Sequence, residues 1–294
     1  MSNWLITVLD VSLDRLLLIV SVALIVLSFD PIRYREAQFD FCLQTDPNVY
    51  LLIPGGLLLV LFLWRQREHQ PQNACADKIQ DGYKLTFDSN HAISVVTGCV
   101  ENFSGGDHAV VVLPANTSFD DQCIHDKRSA LGSFFLTHFP SGIDVIQELI
   151  RREAARECGE TEEYFRTAPA GTTIILDKPL GSCFRIMITA VTSFDAEQGI
   201  TADTLSLISS VKQVFRRASQ NRISSITMPV LGTGHGGLDF KAALSLLLVQ
   251  CMYSMQYEGF HHVREVKIVV YDPDNRTRDT VSRIVHAFGN MTQI

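Results

Sequence analysis

The chain has 294 residues, 46% hydrophobic and 19% charged, with a formal net charge of −7 and a mean hydropathy of +0.13. That excludes a largely disordered chain, which needs low hydrophobicity and high charge. With 25 basic residues against 32 acidic ones, it is not an electrostatic nucleic-acid binder either, and no nucleic-acid partner is expected.

Two uncharged apolar runs open the chain, Leu16–Phe29 and Val49–Trp64. Each is shorter than the roughly 17–25 residues of a spanning helix. Extended to 13–29 and 47–64, they predict a transmembrane helical hairpin over residues 1–64. Trp64 followed by Arg65 and Arg67 reads as an interfacial anchor. Pro54, Gly55 and Gly56 interrupt the second run, so a neighbouring helix has to satisfy the freed backbone groups. Asp10 and Asp14, four apart, read as a solvated lead-in, with a polar line inside an assembled bundle or pore as the alternative. No basic residue precedes Arg15 and no small-residue cleavage site follows, which argues against a signal peptide.

Residues 65–77 are polar, contain Pro71, and read as a linker. The seven cysteines (Cys42, Cys75, Cys99, Cys123, Cys158, Cys183, Cys251) are scattered, odd in number and free of CxxC spacing. They read as reduced thiols in a cytosolic compartment. The expected placement is a multi-pass inner-membrane protein with residues 78–294 in the cytoplasm.

From Lys78 onward, strand and helix signals alternate. Strands are predicted at Lys84–Phe87, Ala92–Thr97, Ala109–Leu113, Thr172–Leu176, Phe184–Val191, Ser225–Val230 and Glu265–Tyr271. Helices are predicted at Ile143–Arg156, Thr204–Ser219, Asp239–Gln256 and Asp279–Phe288. This alternation predicts an α/β domain with a largely parallel sheet and helices on both faces. In such sheets ligands bind beyond the carboxyl ends of the strands.

Two strand-end loops carry the chemistry. In Ile226–Phe240, ITMPVLGTGHGGLDF, four glycines fall within six residues, Gly232, Gly234, Gly236 and Gly237, just before a helix. Glycines allow positive φ and close approach, so Leu231, Thr233, His235, Leu238 and these glycines can present successive N–H groups to a phosphate. It is neither a Walker A loop nor a GxGxxG turn. In Val110–Phe119, VVVLPANTSF, a buried strand delivers Asn116 to its end, where its amide can bond a sugar hydroxyl pair. A polar stretch from Asp120 through Asp126 to Ser129 then runs into a helix. Tyr271, after the last strand, reads equally as a ring placed to stack on a base and as a sheet-edge tyrosine with a turn after it. His261 and His262 are adjacent and face different ways, so no metal site is expected. No base stands beside Cys99, so it is not read as a nucleophile.

The strand-PAN and strand-PVLGTGHGG-helix loops resemble the signature loops of macro domains, the ADP-ribose-binding fold, over Lys84–Phe288. The resemblance implies a three-layer α/β/α fold with a mixed, largely parallel sheet. It implies Asn116 near the distal ribose, Leu231–Leu238 around the diphosphate and Tyr271 against the adenine. Gly98-Cys99-Val100 stands where the family usually has Gly-Asp-Ile, placing Cys99 at the adenine end. The polar Asp120–Arg128 stretch replaces the usual glycine run, implying a decorated ligand. Two apolar helices before a macro domain resemble, further, the membrane-anchored effectors of type II Thoeris anti-phage systems. That resemblance implies a histidine-conjugated ADP-ribose signal from a TIR-domain partner, no cofactor, self-association on ligand binding, and membrane disruption. Asp120, Asp121, Gln122 and Asp126 would then face the cationic amine of the histidine. The alternatives are an ADP-ribosyl hydrolase using Asp120, Asp121 or Asp126, and a passive reader of ADP-ribosylated partners. No double-glutamate signature of the glycohydrolase branch is present.

Overall fold

The structure is a computed structural model. It describes residues 75–291 except 88–89, 121, 123, 196–198 and 261. The chain divides into two units, Met1–Pro71 and Gln72–Ile294, and the described residues belong to the second. Among them no helix is long and apolar enough to cross a membrane. That finding corrects the expected multi-pass inner-membrane placement. The predicted spans 13–29 and 47–64 lie outside the described residues, as do Asp10, Asp14 and the linker up to residue 74.

The described chain forms nine strands and five α-helices. The strands are β1 (Cys75–Ile79), β2 (Gly82–Thr86), β3 (Ala92–Thr97), β4 (Ala109–Asn116), β5 (Thr173–Asp177), β6 (Arg185–Asp195), β7 (Gly199–Ala202), β8 (Ser225–Pro229) and β9 (Glu265–Val270). The helices are α1 (Ala130–His138), α2 (Ile143–Glu157), α3 (Thr204–Gln220), α4 (Phe240–Gln256) and α5 (Arg278–Met291). β1 begins inside the stretch read as linker.

One mixed sheet runs β1-β2-β3-β9-β8-β4-β6-β5, with β7 on the end of β6. Its centre, β3-β9-β8-β4-β6, is parallel, and both margins are antiparallel. The centre is parallel because β4, β8 and β9 are near-continuous apolar runs that need cover on both faces. In β4, Val110 and Val112 enter the core under α3, α4 and α5. Val111, Leu113 and Ala115 enter a second core under α1 and α2. Three N-caps set where helices leave the strand-end loops. Ser129 Oγ accepts from Gly132 N–H at 2.8 Å, Asp203 from Ser206 N–H at 2.6 Å, and Asp239 from Ala242 N–H at 3.0 Å.

Candidate functional site

The five parallel strands end together, and the two loops singled out in the sequence leave from neighbouring strands, β4 and β8. The β8–α4 loop is built by its glycines in different ways. Gly232 (φ +79°) and Gly237 (φ +68°) adopt left-handed backbone that only glycine takes at no steric cost. A Cβ on Gly236 would meet Ala202 Cβ at 2.7 Å, Gly232 O at 2.8 Å and Thr192 Cγ2 at 2.9 Å. The β6–β7 hairpin therefore sits hard against the loop, and Ala202 N–H donates to Gly236 O at 2.9 Å. A Cβ on Gly234 would meet nothing within 4 Å.

Leu231 is fully buried and Leu238 packs on the same core, so these two anchor the loop from below. Leu238 N–H returns to Gly232 O at 3.1 Å, Gly237 N–H to Gly234 O at 3.2 Å, and Thr233 Oγ1 donates to Val230 O at 2.9 Å. The backbone N–H groups of Gly232, Thr233, Gly234, His235 and Gly236 donate to no acceptor among the described residues. Five successive unpaired donors beside a helix N-terminus form an anion cradle.

The β4–α1 loop is folded on itself. Asn116 is 6% exposed. Its Nδ2 donates to Asp120 Oδ1 at 2.9 Å, while Asp120 N–H donates back to Asn116 Oδ1 at 3.4 Å. Asp120 Oδ1 also accepts from Gln122 N–H at 3.2 Å. Phe119 takes φ +47°, unusual for a bulky residue, and is buried. Its carbonyl accepts from Gln147 Nε2 of α2 at 2.9 Å. The loop is thus pinned by a buried ring and by the side chains of Asn116, Asp120 and Gln147. Asp121 and Cys123 lie outside the described residues.

Asp126 joins the two loops. Its Oδ2 lies 3.2 Å from His235 Nε2. Arg128 grips the same carboxylate through its backbone N–H at 2.9 Å, Nε at 3.1 Å and Nη2 at 3.3 Å. The Arg128 side chain, ahead of its backbone and of His235, holds the Asp126 carboxyl below the usual carboxylate range. The Ser129 hydroxyl is taken up by the α1 cap and by Asp126 O at 2.9 Å.

Cys99 and Tyr271 complete the strand ends. Gly98 N–H donates to Val270 O at 3.0 Å, which brings Cys99 beside the end of β9. Burial, then Glu101, pushes the Cys99 thiol up, the wrong direction for a nucleophile. Tyr271 is 73% exposed. The sequence reading passed over its neighbour Asp272, which is buried and accepts from Arg276 N–H, Thr277 N–H and Thr277 Oγ1, each at 2.8 Å. It also passed over Gln147, Arg128 and β7. An Asp five residues ahead of a Thr at a helix start is a readable signal for Asp272; nothing local marks Gln147. No group of His, Cys, Asp and Glu among the described residues could hold a metal ion.

Residues 101–271 match the family described as Thoeris protein ThsA, Macro domain. The chain belongs to that family. The match runs from just after Cys99 to Tyr271 and takes in both loops. Among solved structures, the chain resembles the Oceanobacillus iheyensis macrodomain with MES bound, at 16% identity and a TM-score of 0.53. That match covers 75% of this chain and 98% of the other. The same macrodomain with ADP gives 17% identity and a TM-score of 0.52, covering 74% and 97%. These likenesses establish the macro-domain fold. No curated protein sequence matches.

Proposed function

We propose that this domain binds an ADP-ribose-derived signal, a histidine-conjugated ADP-ribose made by a TIR-domain partner, and that binding drives self-association in anti-phage defence. The observation that carries the reading is the run of unpaired N–H groups from Gly232 to Gly236, next to the Asn116 loop at the carboxyl ends of a parallel sheet. A diphosphate matches those donors in charge and in number. A solved macrodomain of this fold is described with ADP. The carboxylates of Asp120 and Asp126 on the facing loop favour a ligand that carries a cation beyond its second ribose.

A ligand shifts assembly only as far as it binds the assembled form better than the resting one. Titration of the full-length chain with ADP-ribose and with its histidine conjugate, followed by calorimetry and particle mass together, tests both halves of the proposal. Tighter binding of the conjugate with a rise in mass is expected. Conversion of an ADP-ribosylated substrate to free ADP-ribose would instead make the protein a hydrolase. Equal binding of both compounds at constant mass would make it a passive reader.

A further inference from the structure

The tip of the glycine loop is tied down residue by residue, with one exception. Thr233 donates its hydroxyl to Val230 O, the carbonyl of Gly234 accepts from Gly237 N–H, and the carbonyl of Gly236 accepts from Ala202 N–H. His235 lies among them, and its backbone makes no hydrogen bond among the described residues. Both its neighbours are glycines, the residues that lose most conformational freedom when ordered. What holds His235 is its side chain, whose Nε2 lies 3.2 Å from Asp126 Oδ2 on the facing loop.

Asp126 is itself firmly anchored. Its carbonyl accepts from Ser129 N–H and from Ser129 Oγ, each at 2.9 Å, and Ser129 caps α1. Arg128 grips its carboxylate at three points. Asp126 is thereby fixed to the start of a helix whose Leu131, Phe134 and Phe135 are buried. The contact fastens the one loose residue of the cradle to a rigid element of the other loop. By charge alone, a carboxylate beside an anion site weakens anion binding. Charge and positioning therefore predict opposite signs for its removal.

We infer that Asp126 is a positioning residue for the anion cradle. Through His235 it holds the loop tip, and with it the N–H groups of Gly234, His235 and Gly236, in the orientation that meets phosphate. This role rests on the proposed reading of the glycine loop as a phosphate site. Calorimetry of the full-length chain with ADP-ribose and with inorganic pyrophosphate tests it. The backgrounds are wild type, Asp126→Ala, His235→Ala, the two combined, and His235→Gln, with thermal melting confirming that each folds. Asp126→Ala and His235→Ala are each expected to weaken both ligands about tenfold, the cost of ordering one residue's backbone on binding. The double variant is expected to lose no more than either single one, as for two residues acting through one contact. His235→Gln, which keeps a side-chain N–H to offer Asp126, is expected to recover most of the loss; general damage to the loop would not be rescued in this way. Should Asp126→Ala fail to fold, the contrast of His235→Ala with His235→Gln carries the same test. Tighter binding in Asp126→Ala would make the carboxylate a repulsive neighbour and overturn the inference, as would additive losses in the double variant. Wild-type binding that both alanine variants leave unchanged would sink this role alone, whereas no binding of either anion to wild type would sink the phosphate reading with it.

Discussion

At the scale of single residues, Gly234 and Gly236 are chemically identical and physically opposite. A methyl on Gly236 runs into Ala202, Thr192 and the backbone of Gly232 at under 3 Å. Overpacking of that kind costs about 1–3 kcal/mol, so Gly236→Ala is expected to lower the melting temperature measurably. Gly234 has room for a methyl and no positive φ. Gly234→Ala is expected to leave the melting temperature unchanged while weakening ADP-ribose binding about tenfold by calorimetry, because the methyl stands where phosphate oxygens approach the N–H groups. A Gly234→Ala variant that melts early would refute this separation of fold from function.

Asp272 makes a second residue-scale prediction. Burial alone would raise its pKa, but donors from Thr277 and Arg276 outweigh burial and hold it below the ordinary carboxylate value. A carboxyl lowered on folding contributes stability above its unfolded pKa, about 3.9, and loses it as pH falls through the folded value. Asp272→Asn is therefore expected to lose about 1–3 kcal/mol at pH 7. Denaturant midpoints of variant and wild type should converge as pH falls through the lowered folded-state value. A gap that persists at low pH would mean that shape rather than charge is at stake.

At the scale of elements, the strand-end loops are only as well placed as the helices that follow them. Asp239 closes the glycine loop and caps α4. Asp239→Ala is expected to cost about 1 kcal/mol, and Asp239→Asn close to nothing, in chemical denaturation. Equal losses in the two variants would show that the charge, not the cap, is what matters there. This cap was readable in the sequence, as were α2, α3, α5 and seven of the strands, because alternation and capping residues are local signals. β7 was not readable. Its four residues, Gly199–Ala202, show no alternation, and the strand exists because β6 pairs with it and Gly236 accepts from it. The left-handed Phe119 was hidden as well, since glycine is the usual mark of such a turn. The meeting of Asp126 with His235 joins loops distant in sequence, so only the sheet order reveals it.

At the scale of the whole molecule, the two cores lie on opposite faces of one continuous sheet, so opening either exposes the other's floor. Cys251 is a reporter of that opening. It lies at 0% exposure in the larger core, on the helix that starts from the glycine loop, and burial pushes its thiol well up from the ordinary value. Cys183, by contrast, is exposed. In native buffer, maleimide labelling resolved by peptide mass is expected to modify Cys183 quickly and Cys251 only through unfolding. Where reclosing outpaces labelling, the Cys251 rate follows the equilibrium population of the open state. A ligand that binds only the closed form lowers that population by one plus its concentration over Kd. ADP-ribose at a hundred times its Kd is therefore expected to slow Cys251 labelling about 100-fold and to leave Cys183 unchanged. Slowing of both cysteines would point to burial of Cys183 in an assembly, and slowing of neither to binding that is not coupled to the fold.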